Sequence, residues 1–154
     1  LWTYYCCGQV QQVSNRMMAM PSARNRILGW QLFKFEIAGF LHWGYNFWFN
    51  QLSRHPIDPF FTTDAEDPFL VYPGEDGVPL PSIRQIVFNE SLQDMRALQL
   101  LEQRLSHSEV SDWLDSLCHE PLTFSQYPRD SDWILETREA VNRRLMMSDT
   151  LFPG

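Results

Sequence analysis

Residues 39–48 read GFLHWGYNFW. Phe40 and Leu41 form a short apolar run that suits a buried strand, and the chain then passes directly into Trp43, Tyr45, Phe47 and Trp48, with Asn46 among them. A strand that ends in an aromatic loop is how an α/β scaffold carries a sugar site. Aromatic faces cover the C–H side of a pyranose ring, while Asn, Asp and His bond its hydroxyls. The competing reading places the same aromatics in the core, where large rings usually go. The stretch that follows favours a site. Residues 44–68 have no clear periodicity and hold Pro56, Pro59, Pro68 and the acids Asp58, Asp64, Glu66 and Asp67. Connections of that length in a compact domain are functional or disordered.

Upstream, Trp2–Cys7 is rich in strand formers and Gly8 ends it. Residues 9–20 are polar, then Met-rich, and read as a connecting loop. Pro21-Ser22 opens a helix whose apolar face holds Ile27, Trp30, Leu32, Phe33, Phe35 and Ile37, with Gly39 at the place of a C′ residue. Arg24 and Arg26 near its start run against the helix dipole. Such cations either lie on a solvated face or have a partner. Downstream, Phe69–Tyr72 reads as a third short strand, and Pro73-Gly74-Glu75-Asp76-Gly77 as a turn. A long helix over residues 83–105 follows Pro81-Ser82, its expected apolar face being Ile83, Ile86, Val87, Leu92, Met95, Leu98, Leu101 and Leu105. Ser106-x-x-Glu109 is a capping box for a short helix. Asp130 or Ser131 caps a last helix carrying Trp133, Ile134, Val141 and Leu145.

The order is strand, helix, strand, long loop, strand, long helix, then extra helices. This predicts an α/β fold. Three short strands cannot close a barrel, but they fit the last strands of a (β/α)8 barrel, in which sites lie on the loops after the strands. Residues 8–20, 44–68 and 73–80 occupy such positions. The expected organisation is residues 1–105 as the C-terminal part of a barrel and 106–154 as a helical extension of the same domain. The chain opens at Leu1 inside a strand-like segment, so a portion of a longer chain is expected. Bare strand edges would then make the isolated segment marginal or self-associating.

Composition narrows the function. The net charge of −7 argues against nucleic acid, which asks for a basic face. No run of about 18 apolar residues is present to span a membrane. The three cysteines, Cys6, Cys7 and Cys118, show no disulfide spacing. Cys118-His119 are neighbours on a helix end and do not face each other. The sequence lacks GxSxG, HExxH, paired CxxC and the phosphate-loop patterns, and no metal or cofactor is expected. Paired carboxylates remain, as glycoside hydrolysis requires. Asp64, Glu66, Asp67, Glu75 and Asp76 lie in strand-end loops, and Asp76, held between Gly74 and Gly77, is the best placed.

Three segments together carry a family resemblance: WTYYCCG, MAMPSARNRILGWQLFKFEIAGFLHWGYNFW and DPFLVYPGEDGVPLPSIRQIVFNESLQDMRALQLLE. From Trp2 to about Glu102 the chain resembles the C-terminal half of the domain-of-unknown-function 4091 group, the catalytic domain of glycoside hydrolase family 123. The resemblance implies a (β/α)8 barrel that hydrolyses β-linked N-acetylgalactosaminides with retention. In such enzymes the sugar's own 2-acetamido group attacks the anomeric carbon, an Asp orients that group, and an adjacent Glu is the general acid. No Asp-Glu dipeptide occurs in the 154 residues. The catalytic pair is expected upstream, and Glu75-Asp76, in reversed order on a later loop, does not inherit the role. The residues that fall on the family's strand-end segments are Trp43, Tyr45, Asn46, Trp48, Tyr72 and Asp76, expected to line the substrate. Tyr5 and His42 are weaker candidates. Because side chains alternate along a strand, His42 and Trp43 are expected to face opposite sides of the sheet. The expected partners are a carbohydrate and the rest of the barrel. The alternative is a carbohydrate-binding or scaffold module without catalysis.

Overall fold

The computed structural model describes residues 1–6, 8–9, 11–46 and 69–151, with side chains as far as Met147. The elements in order are β1 (Trp2–Tyr5), α1 (Ser22–Arg26), α2 (Leu28–Lys34), β2 (Gly39–His42), β3 (Val71–Pro73), β4 (Pro79–Pro81), α3 (Ile83–Glu102), α4 (His107–Ser116) and α5 (Ser131–Leu151).

β1 and β2 pair in parallel, with Trp2 opposite Gly39 and Tyr5 opposite His42. Parallel neighbours need a crossover, and α1 and α2 supply it. The result is one βαβ unit, the repeating element of α/β folds. Thr3, Tyr5, Phe40 and His42 share the face turned to the helices, where Tyr5 meets Phe40 edge-on at 5.6 Å and Phe40 meets Phe88 of α3 at 6.0 Å. The opposite face carries Trp2, Tyr4 and Leu41, which are 72%, 41% and 58% exposed. That is the side a barrel would turn inward.

The third expected strand is corrected. Phe69 and Leu70 precede β3 as irregular chain, and β3 pairs antiparallel with β4 as a hairpin, not with β1 and β2. Three of the six ladder residues, Pro73, Pro79 and Pro81, are prolines without an N–H, so the ladder cannot lengthen. The turn comes where composition placed it. Gly74 N–H donates to the Val78 carbonyl at 3.0 Å, and Gly77 adopts φ +74°. The described strands form two separate pairs and do not close a barrel.

The first helix also differs from its expected form. It tightens at Ile27 and ends at Lys34, well before Gly39. Ile37 N–H donates to the Leu32 carbonyl and Glu36 N–H to the Phe33 carbonyl, both at 3.0 Å. This is a Schellman ending with Glu36, φ 49°, in the left-handed position that glycine usually fills. Gly39 instead opens β2 under the Trp2 indole, where a Cβ would lie 2.4 Å from the ring.

Residues 28–33 are all buried because α2 lies between the sheet and the other helices. Leu28 and Leu32 pack with Tyr5, Ile37 and Phe40. Trp30 and Phe33 pack with Leu98 and Leu101 of α3, Val110 and Leu114 of α4, and Ile134 and Val141 of α5. Gly29 lets α2 approach α3 closely: its N–H donates to Ser91 Oγ at 2.6 Å, and a Cβ would lie 1.9 Å from the Ser91 carbonyl oxygen.

The expected apolar face of α3 is corrected in its first turns. Ile83 and Ile86 are exposed, while Arg84, Ser91 and Asp94 are buried with Ala97, Leu98 and Leu101. Polar partners explain the rotation, since Gly29, Arg26, Trp30 and Arg138 all bond to Ser91 or Asp94. The caps agree with their sequence signals. Ser106 and Glu109 form the reciprocal capping box of α4, and Asp130 Oδ1 accepts from Asp132 N–H at the start of α5. No helix among the described residues is long and apolar enough to cross a membrane.

Candidate functional site

The segment after β2 is built by continuing the parallel ladder. Trp43 N–H donates to the Tyr5 carbonyl at 3.0 Å, and Gly44 then turns the chain with φ 72°. Next, the Tyr45 carbonyl accepts from Leu70 N–H at 2.8 Å and Val71 N–H at 3.4 Å. The Leu70 carbonyl in turn accepts from Ser82 N–H at 3.0 Å, and Tyr45 Oη accepts from Gln85 Nε2 at 2.7 Å. Three segments far apart in sequence, the end of β2, the start of β3 and the first turn of α3, therefore meet at Tyr45. Arg84 reinforces the junction by donating to the Phe69 carbonyl, with its guanidinium over the Phe69 ring at 5.1 Å.

The expected site residues separate around this junction. Trp43 is half-buried, and Tyr45 and Asn46 are exposed beside it. Tyr72 lies on β3, half-buried and edge-on to Phe69 at 5.1 Å. Asp76 is exposed at the hairpin tip, beyond the ladder and away from the Tyr45 bonds. Trp48, Phe47 and the loop acids Asp58, Asp64, Glu66 and Asp67 lie outside the described residues. Tyr5 is a core residue, 5% exposed, and burial raises its phenol's pKa above the usual value. Its Oη lies 3.4 Å from Ser14 Oγ, and Ser14 Oγ bonds the Gln31 side chain.

His42 and Tyr45 border a cavity of about 440 Å³ between β2 and α3, walled otherwise by apolar side chains including Phe40, Leu70, Phe88 and Leu92. Beside it lies a residue that sequence reading missed. Arg16 is fully buried in the stretch read as a polar connection, together with Ser14, Asn15 and Met17. Its guanidinium sits between Phe40 and Phe88, 4.6 Å from each ring centroid. Arg16 Nη2 donates to His42 Nδ1 at 2.9 Å. An arginine nitrogen only donates, so Nδ1 is the acceptor and the ring proton sits on Nε2. Among the described residues Arg16 Nε and Nη1 have no hydrogen-bond partner, and burial pushes the guanidinium's pKa down to about 9. No periodicity marks Arg16, because contacts made across 24 and 72 residues leave no local trace. A cation inside an otherwise strand-terminating loop was the available signal.

Among the described residues, no group of three His, Cys, Asp or Glu side chains converges as a metal cluster. The geometry is that of an α/β unit whose aromatic residues gather past the carboxyl end of its strands, the end at which such folds bind ligands. The model of the family described as glycoside hydrolase 123, catalytic domain, matches residues 1–101, from β1 almost to the end of α3. The chain belongs to that family and is part of such a catalytic domain. A search of curated proteins found no match to the chain.

Proposed function

We propose that the chain forms one wall of a domain that hydrolyses β-linked N-acetylgalactosaminides by substrate-assisted, retaining catalysis. Residues 1–105 are the barrel part, and 106–154 are a helical extension of the same domain. Trp43, Tyr45, Asn46, Trp48, Tyr72 and Asp76 contact the sugar, and the Asp-Glu pair comes from polypeptide outside the 154 residues. The observation that carries this reading is the junction at Tyr45, which gathers the aromatic segments at the carboxyl end of a parallel βαβ unit. Membership of the family supplies the reaction class. Glycosidases that work without a carboxylate nucleophile still need a general acid. The sugar's acetamido oxygen attacks the anomeric carbon, the Glu protonates the leaving oxygen, and the Asp holds the acetamido N–H.

The test is hydrolysis of p-nitrophenyl glycosides. The 154-residue chain alone is expected to release no nitrophenol. The whole domain is expected to cleave the β-N-acetylgalactosaminide and to spare the β-galactoside, which lacks the acetamide. Tyr45→Ala in that domain is expected to lower kcat/KM at least tenfold, about 1.4 kcal/mol or more of transition-state stabilisation. Equal cleavage of both glycosides would rule out substrate assistance.

A further inference from the structure

A second cavity, of about 490 Å³, lies between the end of α4 and the start of α5. It falls outside the residues matched by the family model. Its volume is within the roughly 300–1,000 Å³ usual for small-molecule sites. Trp133 supplies aromatic wall, Tyr127 lies beside it with the Arg129 guanidinium over its ring at 5.6 Å, and His119, Gln126, Glu120 and Asp130 complete a polar rim.

Both rings are fixed in place before any ligand arrives. Trp133 Nε1 donates to the Leu117 carbonyl at 2.8 Å. Tyr127 Oη accepts from Arg24 Nε at 3.0 Å, and Arg24 is itself anchored on the Gln11 and Val13 carbonyls at 2.7 and 2.8 Å. The chain just before Tyr127 is equally held. Thr123 Oγ1 accepts from Gln126 N–H at 2.8 Å, Gln31 Nε2 donates to the Thr123 carbonyl at 2.8 Å, and Lys34 Nζ donates to the Leu122 carbonyl at 2.8 Å. A plain connection needs no such anchoring, whereas a pre-formed site gains affinity from it.

The rim chemistry selects the ligand. The lining mixes the acids Glu120 and Asp130 with Arg129 and His119, so an anion gains little. The Arg129 guanidinium in the same lining equally disfavours a cation. Donors and acceptors are mixed around aromatic faces, which suits neutral hydroxyl groups that both donate and accept. The cavity is not a cysteine-catalytic site. Cys118 Sγ donates to the Leu114 carbonyl at 3.4 Å, and burial pushes the thiol up to about 11, which keeps it protonated near neutrality.

We propose that this cavity is a second carbohydrate site, on the helical extension, that holds one neutral hexose or N-acetylhexosamine residue against Trp133, with Gln126 and Arg129 bonding its hydroxyls. The choice of a sugar rests partly on the proposed function; the site's existence does not. The experiment is titration of the 15N-labelled 154-residue chain with N-acetylgalactosamine, galactose and inorganic phosphate, following the indole N–H resonances of Trp133 and Trp43. A saturable Trp133 shift with a sugar, weakened about tenfold or more by Gln126→Ala and Arg129→Ala at unchanged melting temperature, supports the site. A Trp133 resonance that stays still with both sugars, that moves equally with phosphate, or whose shift ignores both variants overturns it. If Trp43 alone moves, this inference fails and the strand-end reading stands. If Trp133 alone moves with the variant dependence above, the reverse holds.

Discussion

Asp94 of α3 grips Arg26 of α1 with both oxygens, Oδ2 accepting from Nε at 2.7 Å and Oδ1 from Nη2 at 3.0 Å. The carboxylate is 1% exposed and also accepts from Trp30 Nε1 at 3.3 Å and Arg138 Nη1 at 3.1 Å. The bonds to Asp94 hold the Arg26 guanidinium more firmly charged than usual. One carboxylate thus ties α1, α2, α3 and α5 together.

Removing that carboxylate leaves Arg26 with no buried counter-charge. Breaking one partner of a buried pair typically costs about 3–5 kcal/mol. Asp94→Ala is expected to lose that much in urea-induced unfolding. Arg138→Ala, on the more exposed side of the cluster, is expected to lose about 1 kcal/mol or less.

Glu36 bears the opposite kind of strain. Its φ of 49° costs an L-residue roughly 1 kcal/mol that glycine does not incur. Glu36→Gly is therefore expected to stabilise the chain by about 0.5–1 kcal/mol. The check is a rise of roughly 2–4 °C in the midpoint of thermal unfolding. An unchanged or lowered midpoint would mean that the Glu36 side chain contributes something that this ending does not need.

Arg16 separates charge from volume. Its aliphatic stem and guanidinium fill the gap between Phe40 and Phe88, but two of its nitrogens have no partner among the described residues. Replacing a buried ion by an apolar side chain of similar size is often neutral or stabilising. Arg16→Met is accordingly expected to hold or raise stability. Arg16→Ala, which leaves a cavity between the rings, is expected to lose about 2–4 kcal/mol. Chemical denaturation of the two variants side by side decides it.

What the sequence disclosed follows from the range of each interaction. The capping box at Ser106 and Glu109, the cap at Asp130 and the turn at Gly74–Gly77 are set within a few residues, and all formed as read. The βαβ pairing of β1 with β2 was readable from two short apolar runs flanking a helix. The third strand was not, because pairing depends on which edge is free, and the prolines at 73, 79 and 81 turned that segment into a hairpin. Ile83 and Ile86 looked like core by spacing, yet Ser91 and Asp94 set the buried face through bonds across more than 60 residues. At the site, the ladder continues past β2 through Trp43 N–H, which bonds the Tyr5 carbonyl. That Arg16 holds His42 was invisible, since nothing near either residue announces it.

The proposed function stands or falls on whether the segment past β2 meets a sugar. The most direct measurement is the indole N–H resonance of Trp43 in the 15N-labelled chain as N-acetylgalactosamine is added. A saturable shift of that resonance, lost in Tyr45→Ala, is expected. A Trp43 resonance that does not move at saturating sugar, in a chain whose spectrum is otherwise that of a folded protein, would contradict it.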